Sequence, residues 1–173
     1  MAKQQQKIGK LSLINALSAV EVDQGALSLI NSFGEAGQKE LVKIASTPTK
    51  GITPEIRARA VYVLGILRWR PAFKPLLKLL RDKSASVRLN AIYAISEVGG
   101  PNAVEPLLTI VKDAKRGATE QAHALRCLAD IGDEKTLAEL EAWSGKVQSI
   151  ELKKLAGDML KRLRLSLAQI QAR

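Results

Sequence analysis

The chain has 173 residues, with 27 Lys and Arg against 17 Asp and Glu, and a formal net charge of +10. A hydrophobic fraction of 46% with a mean hydropathy of -0.02 excludes both a disordered tail and a chain embedded in lipid. Aromatic residues are only 3%, which suits helices packed through Ala and Leu better than a β-sandwich or barrel.

One cysteine, Cys127, rules out an internal disulfide framework. No run of about 18 apolar residues exists, so no stable membrane insertion is expected. The N-terminal segment is broken by Asn15 and Ser18 and offers no convincing cleavage site; the reading is a cytoplasmic chain without a signal peptide. The positive balance points to an anionic partner, whether an acidic protein surface, nucleic acid or anionic lipid.

In chain order, residues 11–20 read as a cap and residues 25–45 as a degenerate first unit, together occupying about residues 11–47. Phe33-Gly34 precedes Leu64-Gly65 by 31 residues, which is what places that unit in phase. The first well-defined repeat covers about 53–82. Apolar residues three and four apart predict a helix over 56–67, and a second helix follows over 71–80. The next repeat, about 83–113, predicts helices over 87–99 and 102–111, separated by Gly99-Gly100-Pro101. Glycine takes the left-handed conformation past a helix end, and proline fits a first helical turn. Between these two repeats Ile56-Arg57 returns as Val87-Arg88, Pro75-Leu76-Leu77 as Pro106-Leu107-Leu108, and Asp82 as Asp113, all 31 residues later.

A third repeat, about 114–143, keeps the phase at an offset of 33, with two extra residues in the turn at 113–117. A terminal unit, about 148–170, begins at Leu152-Lys153 and runs through Ala156, Met159 and Leu160, with residues 163–170 as a second cap. A period of this length built from two helices predicts an all-α fold: a right-handed α-solenoid of about five stacked helix pairs, in one domain over 1–173.

Val87-Arg88 followed by Ala91, Ala94-Ile95-Ser96 and Val98-Gly99, then Ala103-Val104 and Pro106-Leu107, resembles the HEAT repeat, specifically the subtype named after phycobilisome lyases. Residues 56–82 and 120–143 carry weaker versions. The resemblance covers well over half of the chain. It implies the solenoid fold and, since such proteins include scaffolds, regulators and chromophore-lyase subunits, it does not choose a function.

Arg57 and Arg88 share one repeat position, and both are read as structural, bonding acceptors in the inter-repeat turns. A second row, two, six and ten residues after the Ile/Val anchor, points away from the core. It gives Tyr62, Ile66, Leu89, Tyr93, Glu97 and Arg126 as candidate partner contacts along a concave strip. Tyr62 and Tyr93 are the only tyrosines and occupy equivalent positions, which suits a binding hot spot; the alternative is that they cover the joint between helices. Arg68, Arg70, Lys74, Lys78 and Arg81 form a candidate anion-binding set, because the surrounding stretch holds few acids. Arg68-Trp69-Arg70 would let an indole stack on a base between two cations, or Trp69 packs beneath the next repeat.

His123 and Cys127 lie four apart on one helix but have no further His or Cys to complete a metal site, and both are read as structural. No Walker loop, dinucleotide fingerprint, serine elbow or paired-carboxylate motif is present, so no catalytic residue, metal or cofactor is assigned. The basic amphipathic segment 152–173 suits core capping better than a membrane surface. The expectation is a non-enzymatic adaptor for an acidic protein, with a nucleic-acid binder as the alternative and a bilin-lyase subunit further behind.

Overall fold

The computed structural model describes residues 2–18 and 24–172, so the last two positions of the predicted N-terminal cap lie outside the described residues. Every regular element there is helical: α1 (Ala2–Ser18), α2 (Gln24–Ser32), α3 (Gly34–Ser46), α4 (Pro54–Ile66), α5 (Phe73–Leu79), α6 (Ala85–Gly99), α7 (Val104–Lys112), α8 (Ala118–Ile131), α9 (Glu134–Ser144) and α10 (Ile150–Gln171). The chain is an α-solenoid of helix pairs, as the repeat predicts. It divides into two compact units, Met1–Val98 and Gly99–Arg173.

In the first unit α1 packs on α2, α3 and α4, and α3 packs on both α4 and α5. Leu13, Leu17, Ile30, Leu41, Ile44, Val61, Leu64, Leu76, Ile92 and Ile95 are fully or almost fully removed from water. Each such side chain contributes about 1.5–3 kcal/mol relative to exposure, which no single helix pair could gather alone. In the second unit α8 packs on α7 and α10, and α9 packs on α7 and α10, around Leu107, Leu125, Leu128, Leu140 and Leu163.

The sequence sets the helix starts through capping oxygens. Thr53 Oγ1 accepts from the Ile56 amide ahead of Pro54 in α4, Asp133 accepts from the Thr136 amide in α9, and Ser149 accepts from the Leu152 amide in α10. The inserted turn after α7 closes on itself: Asp113 Oδ1 accepts from the Lys115 amide at 2.9 Å, and the Arg116 amide donates to the Asp113 carbonyl at 3.0 Å.

Two local departures from the sequence-based reading have clear causes. The predicted second helices over 71–80 and 102–111 each begin as a 3-10 turn, Arg70–Ala72 and Gly100–Ala103, before α5 and α7 take over. Pro71 and Pro101 lack the amide that an α ladder needs and bias the preceding residue away from α geometry. Gly100, at φ +52°, supplies the left-handed reversal that the Gly-Gly-Pro sequence predicts. At the C-terminus, residues 163–170, the predicted cap, do not form a helix of their own. They are the second half of α10, because nothing between Leu160 and Leu163 breaks the helix.

Candidate partner-binding site

The shared repeat arginines are structural. Arg57 is buried on α4; its Nε donates to the Ala45 carbonyl at 2.8 Å, and its guanidinium forms a two-pronged pair with the Asp82 carboxylate. Arg88 Nη1 donates to the carbonyls of Asp82 (2.9 Å) and Lys83 (3.1 Å). Asp82 thus joins α4 to the turn that precedes α6. Burial pushes its carboxyl up, but hydrogen bonds from Arg57 and the Ser84 amide, with the charges of Arg57 and Arg88, outweigh that and hold it below the ordinary value. The equivalent position in the next repeat, 33 residues after Arg88, is Gln121, whose amide donates to the Val111 carbonyl at 2.9 Å. A neutral amide satisfies the carbonyls without needing a carboxylate, and Asp113 lies instead beside Arg116.

Tyr62 and Tyr93 come together. Their ring centroids lie 5.4 Å apart with planes inclined by 33°, within the range for favourable aromatic contact. The contact exists because α4 and α6 approach closely at Gly65: a Cβ there would lie 2.9 Å from Ala94 Cα and 3.1 Å from Tyr93 Cε1. The missing side chain is what lets the Tyr93 ring lie against α4. Tyr62 remains 39% exposed, and its hydroxyl has no hydrogen-bond partner among the described residues. Ile66 and Leu89, one turn away from each ring on α4 and α6, are half-buried. The result is a partly open apolar surface with a polar tip.

Glu97, one turn beyond Tyr93, is engaged: its Oε2 accepts from Arg68 Nη2 at 2.7 Å and from Nε at 2.9 Å. The structure therefore joins one residue of the predicted strip to one of the predicted anion-binding set. Arg68 is also the single described non-glycine residue with positive φ, +48°. A side chain in that conformation costs on the order of 1 kcal/mol, and nothing in the residue type announces it. Trp69, between the two cations, is half-buried at the start of the 3-10 turn.

The other four predicted anion-binding residues lie together. Arg70, Lys74, Lys78 and Arg81 follow one another at steps of four, four and three along the 3-10 turn, α5 and the residues just past it. All four are exposed, while Ala72, Leu76, Leu79 and Leu80 on the opposite side are buried. None of the four cations forms an ion pair or side-chain hydrogen bond with a described residue. The nearest acid in sequence, Asp82, is already held by Arg57.

Arg126 belongs to the second unit. It is exposed on α8, where it lines an open hollow of about 410 Å³ with Ala122, His123, Glu151, Leu152 and Leu155. His123 and Cys127 are both half-buried on the same helix. Among the described residues no group of three or more His, Cys, Asp or Glu could hold a metal ion, and no helix is long and apolar enough to cross a membrane.

Comparison with known proteins agrees with this architecture. No curated protein sequence matches the chain. A designed armadillo repeat protein, solved in complex with the peptide (KR)4, superposes over 87% of this chain and 80% of its own, with a TM-score of 0.56 and 22% identity. An engineered protein superposes over 90% of this chain and 79% of its own, with a TM-score of 0.50 and 19% identity. Both likenesses concern the fold. Residues 39–122, which include the repeat arginines Arg57 and Arg88 and the two tyrosines in contact, match the family of HEAT repeats, and the chain is a HEAT-like repeat protein.

Proposed function

We propose that this solenoid is a non-enzymatic scaffold that binds a protein partner, with Tyr62 and Tyr93 as anchors. Repeat solenoids of this fold are typically protein-binding scaffolds and typically carry out no chemistry of their own. The observation that carries the reading is the tyrosine pair: two rigid rings in contact across α4 and α6, flanked by half-buried Ile66 and Leu89, with Tyr62 still open to solvent. Rings of this kind supply large contact area with few torsions to freeze, the usual composition of a hot spot. The positive field of the chain would steer an acidic partner and raise its rate of association. The designed armadillo repeat protein is in complex with a peptide, (KR)4, which supports a peptide or protein as the class of partner.

The nucleic-acid alternative loses support from the geometry. Its stacking element, Trp69, is half-buried, and one of the two cations beside it is engaged by Glu97. The test is kinetic. A partner bound by the wild-type chain should dissociate at least several-fold faster from Tyr62→Ala/Tyr93→Ala, with helicity by circular dichroism unchanged. A double variant that dissociates at the wild-type rate removes the tyrosine surface as the site.

A further inference from the structure

We infer that the row Arg70, Lys74, Lys78 and Arg81 is a docking surface for an extended peptide segment carrying acidic residues at alternate positions. It deepens the scaffold reading by naming the partner's chemistry, and rests on that reading only in taking the partner to be a protein. Three observations converge. The four cations are exposed on one side of a short helical segment whose other side is buried. None has an internal partner among the described residues, so the row does not staple the fold. The acids of residues 55–97 do not answer it: Asp82 is bound to Arg57, Glu97 to Arg68, and Glu55 is hydrogen-bonded with Thr53 in the first turn of α4.

Spacing selects the ligand. Residues four apart on a helix are about 6 Å apart along one inclined row, slightly more across the 3-10 turn, where each residue rises about 2 Å. In an extended chain every second side chain points the same way, at intervals of about 6.6–6.8 Å. Acids at alternate positions would therefore meet Arg70, Lys74 and Lys78 with a mismatch of about 1 Å or less per step, and the three-residue step to Arg81, a rise of about 4.5 Å, leaves about 2 Å for the long Lys and Arg stems to take up. Self-repulsion keeps such an acidic segment extended before it binds. A nucleic-acid strand fits less well, because sequence-tolerant strand binding relies on exposed aromatic platforms, and the exposed side of this segment presents none.

The experiment uses the full chain and a labelled peptide of alternating Glu and Ser, read by fluorescence anisotropy over a salt series. Two comparison ligands are a peptide of the same composition with its Glu residues in one block and a labelled single-stranded oligonucleotide. The expected result is salt-sensitive binding of the alternating peptide, weaker binding of the block peptide, and a loss of about tenfold or more in Lys74→Glu/Lys78→Glu. Tyr62→Ala/Tyr93→Ala should retain this peptide, so failure of the tyrosine site and failure of the basic row register on different variants. Equal affinity for the two peptides would overturn the spacing argument. Absence of binding at low salt, or an oligonucleotide that binds more tightly than the peptide and is lost in the same double charge reversal, would overturn the assignment. Circular dichroism on the charge-reversal variant confirms that folded protein is being compared.

Discussion

The two units of this chain use charge differently. Residues 1–98 carry 15 Lys and Arg against 7 Asp and Glu, whereas residues 99–173 carry 12 against 10. In the second unit acids and cations join neighbouring helices: Lys112 with Glu139 and Lys135 with Glu105 between α7 and α9, Arg162 with Asp130 between α8 and α10, and Arg164 with Glu141 between α9 and α10. In the first unit Arg57 pairs with Asp82 and Arg68 with Glu97, while the row Arg70, Lys74, Lys78 and Arg81 has no acid paired with it among the described residues. Charge that closes no internal pair adds self-repulsion to the folded state, and its counterpart must be sought outside the molecule. The near-balanced unit holds its helices together with its charges; the basic unit keeps most of its surplus on display.

The largest effect should come from breaking the buried Arg57–Asp82 pair. Asp82→Ala leaves Arg57, whose side chain is 6% exposed, without its carboxylate and should cost about 3 kcal/mol or more in urea unfolding. Next, Gly65→Val forces a side chain into Ala94 and Tyr93 and should cost about 1–3 kcal/mol while separating the tyrosine rings, a change visible in near-ultraviolet dichroism. Arg68→Gly should be about 1 kcal/mol more stable than Arg68→Ala, since both lose the Glu97 pair and only glycine relieves the positive φ. Smallest of all, Arg164→Ala removes an exposed pair in the balanced unit and should shift stability by about 0.5 kcal/mol or less. A loss near that of Asp82→Ala would contradict the contrast drawn between buried and exposed pairs.

Acid titration tests the buried pair. The Asp82 carboxyl is held below its ordinary value, so its contribution is present above the unfolded-state pKa of about 3.9 and is lost as pH falls through the lower folded value. An Asp82→Asn chain should therefore show a shallower loss of stability below about pH 4 than the wild type. Identical acid limbs in the two chains would mean that Asp82 does not titrate differently on folding.

The architecture was legible in the sequence because each repeat writes its core twice, in phase. The 31-residue return of Ile56-Arg57 and Pro75-Leu76-Leu77 placed α4 to α7, and the shift to 33 placed the turn after α7. Tyr62 and Tyr93 were legible as a pair for the same reason, since equivalent positions in adjacent repeats stack. Other features were not. Arg68 is a residue type that rarely accepts positive φ, so its conformation follows from the connection it must make and not from its identity. Its engagement of Glu97, 29 residues away, depends on how α4 and α6 pack, and repeat phase for Glu97 and local charge for Arg68 assigned the two residues to different surfaces. Gln121 escaped notice as the counterpart of Arg57 and Arg88 because the repeat keeps a carbonyl-bonding role there and changes the residue that performs it.

The measurement that tests the charge contrast most directly is a backbone amide NMR titration of the full chain with the alternating Glu–Ser peptide. The account predicts shifts concentrated on the segment from Arg70 to Arg81, saturating with one binding event, with the amides of α8 to α10 unmoved. Shifts centred on Lys146, Lys153, Lys154 and Lys161 of the near-balanced unit, or none at all at low salt, would contradict it.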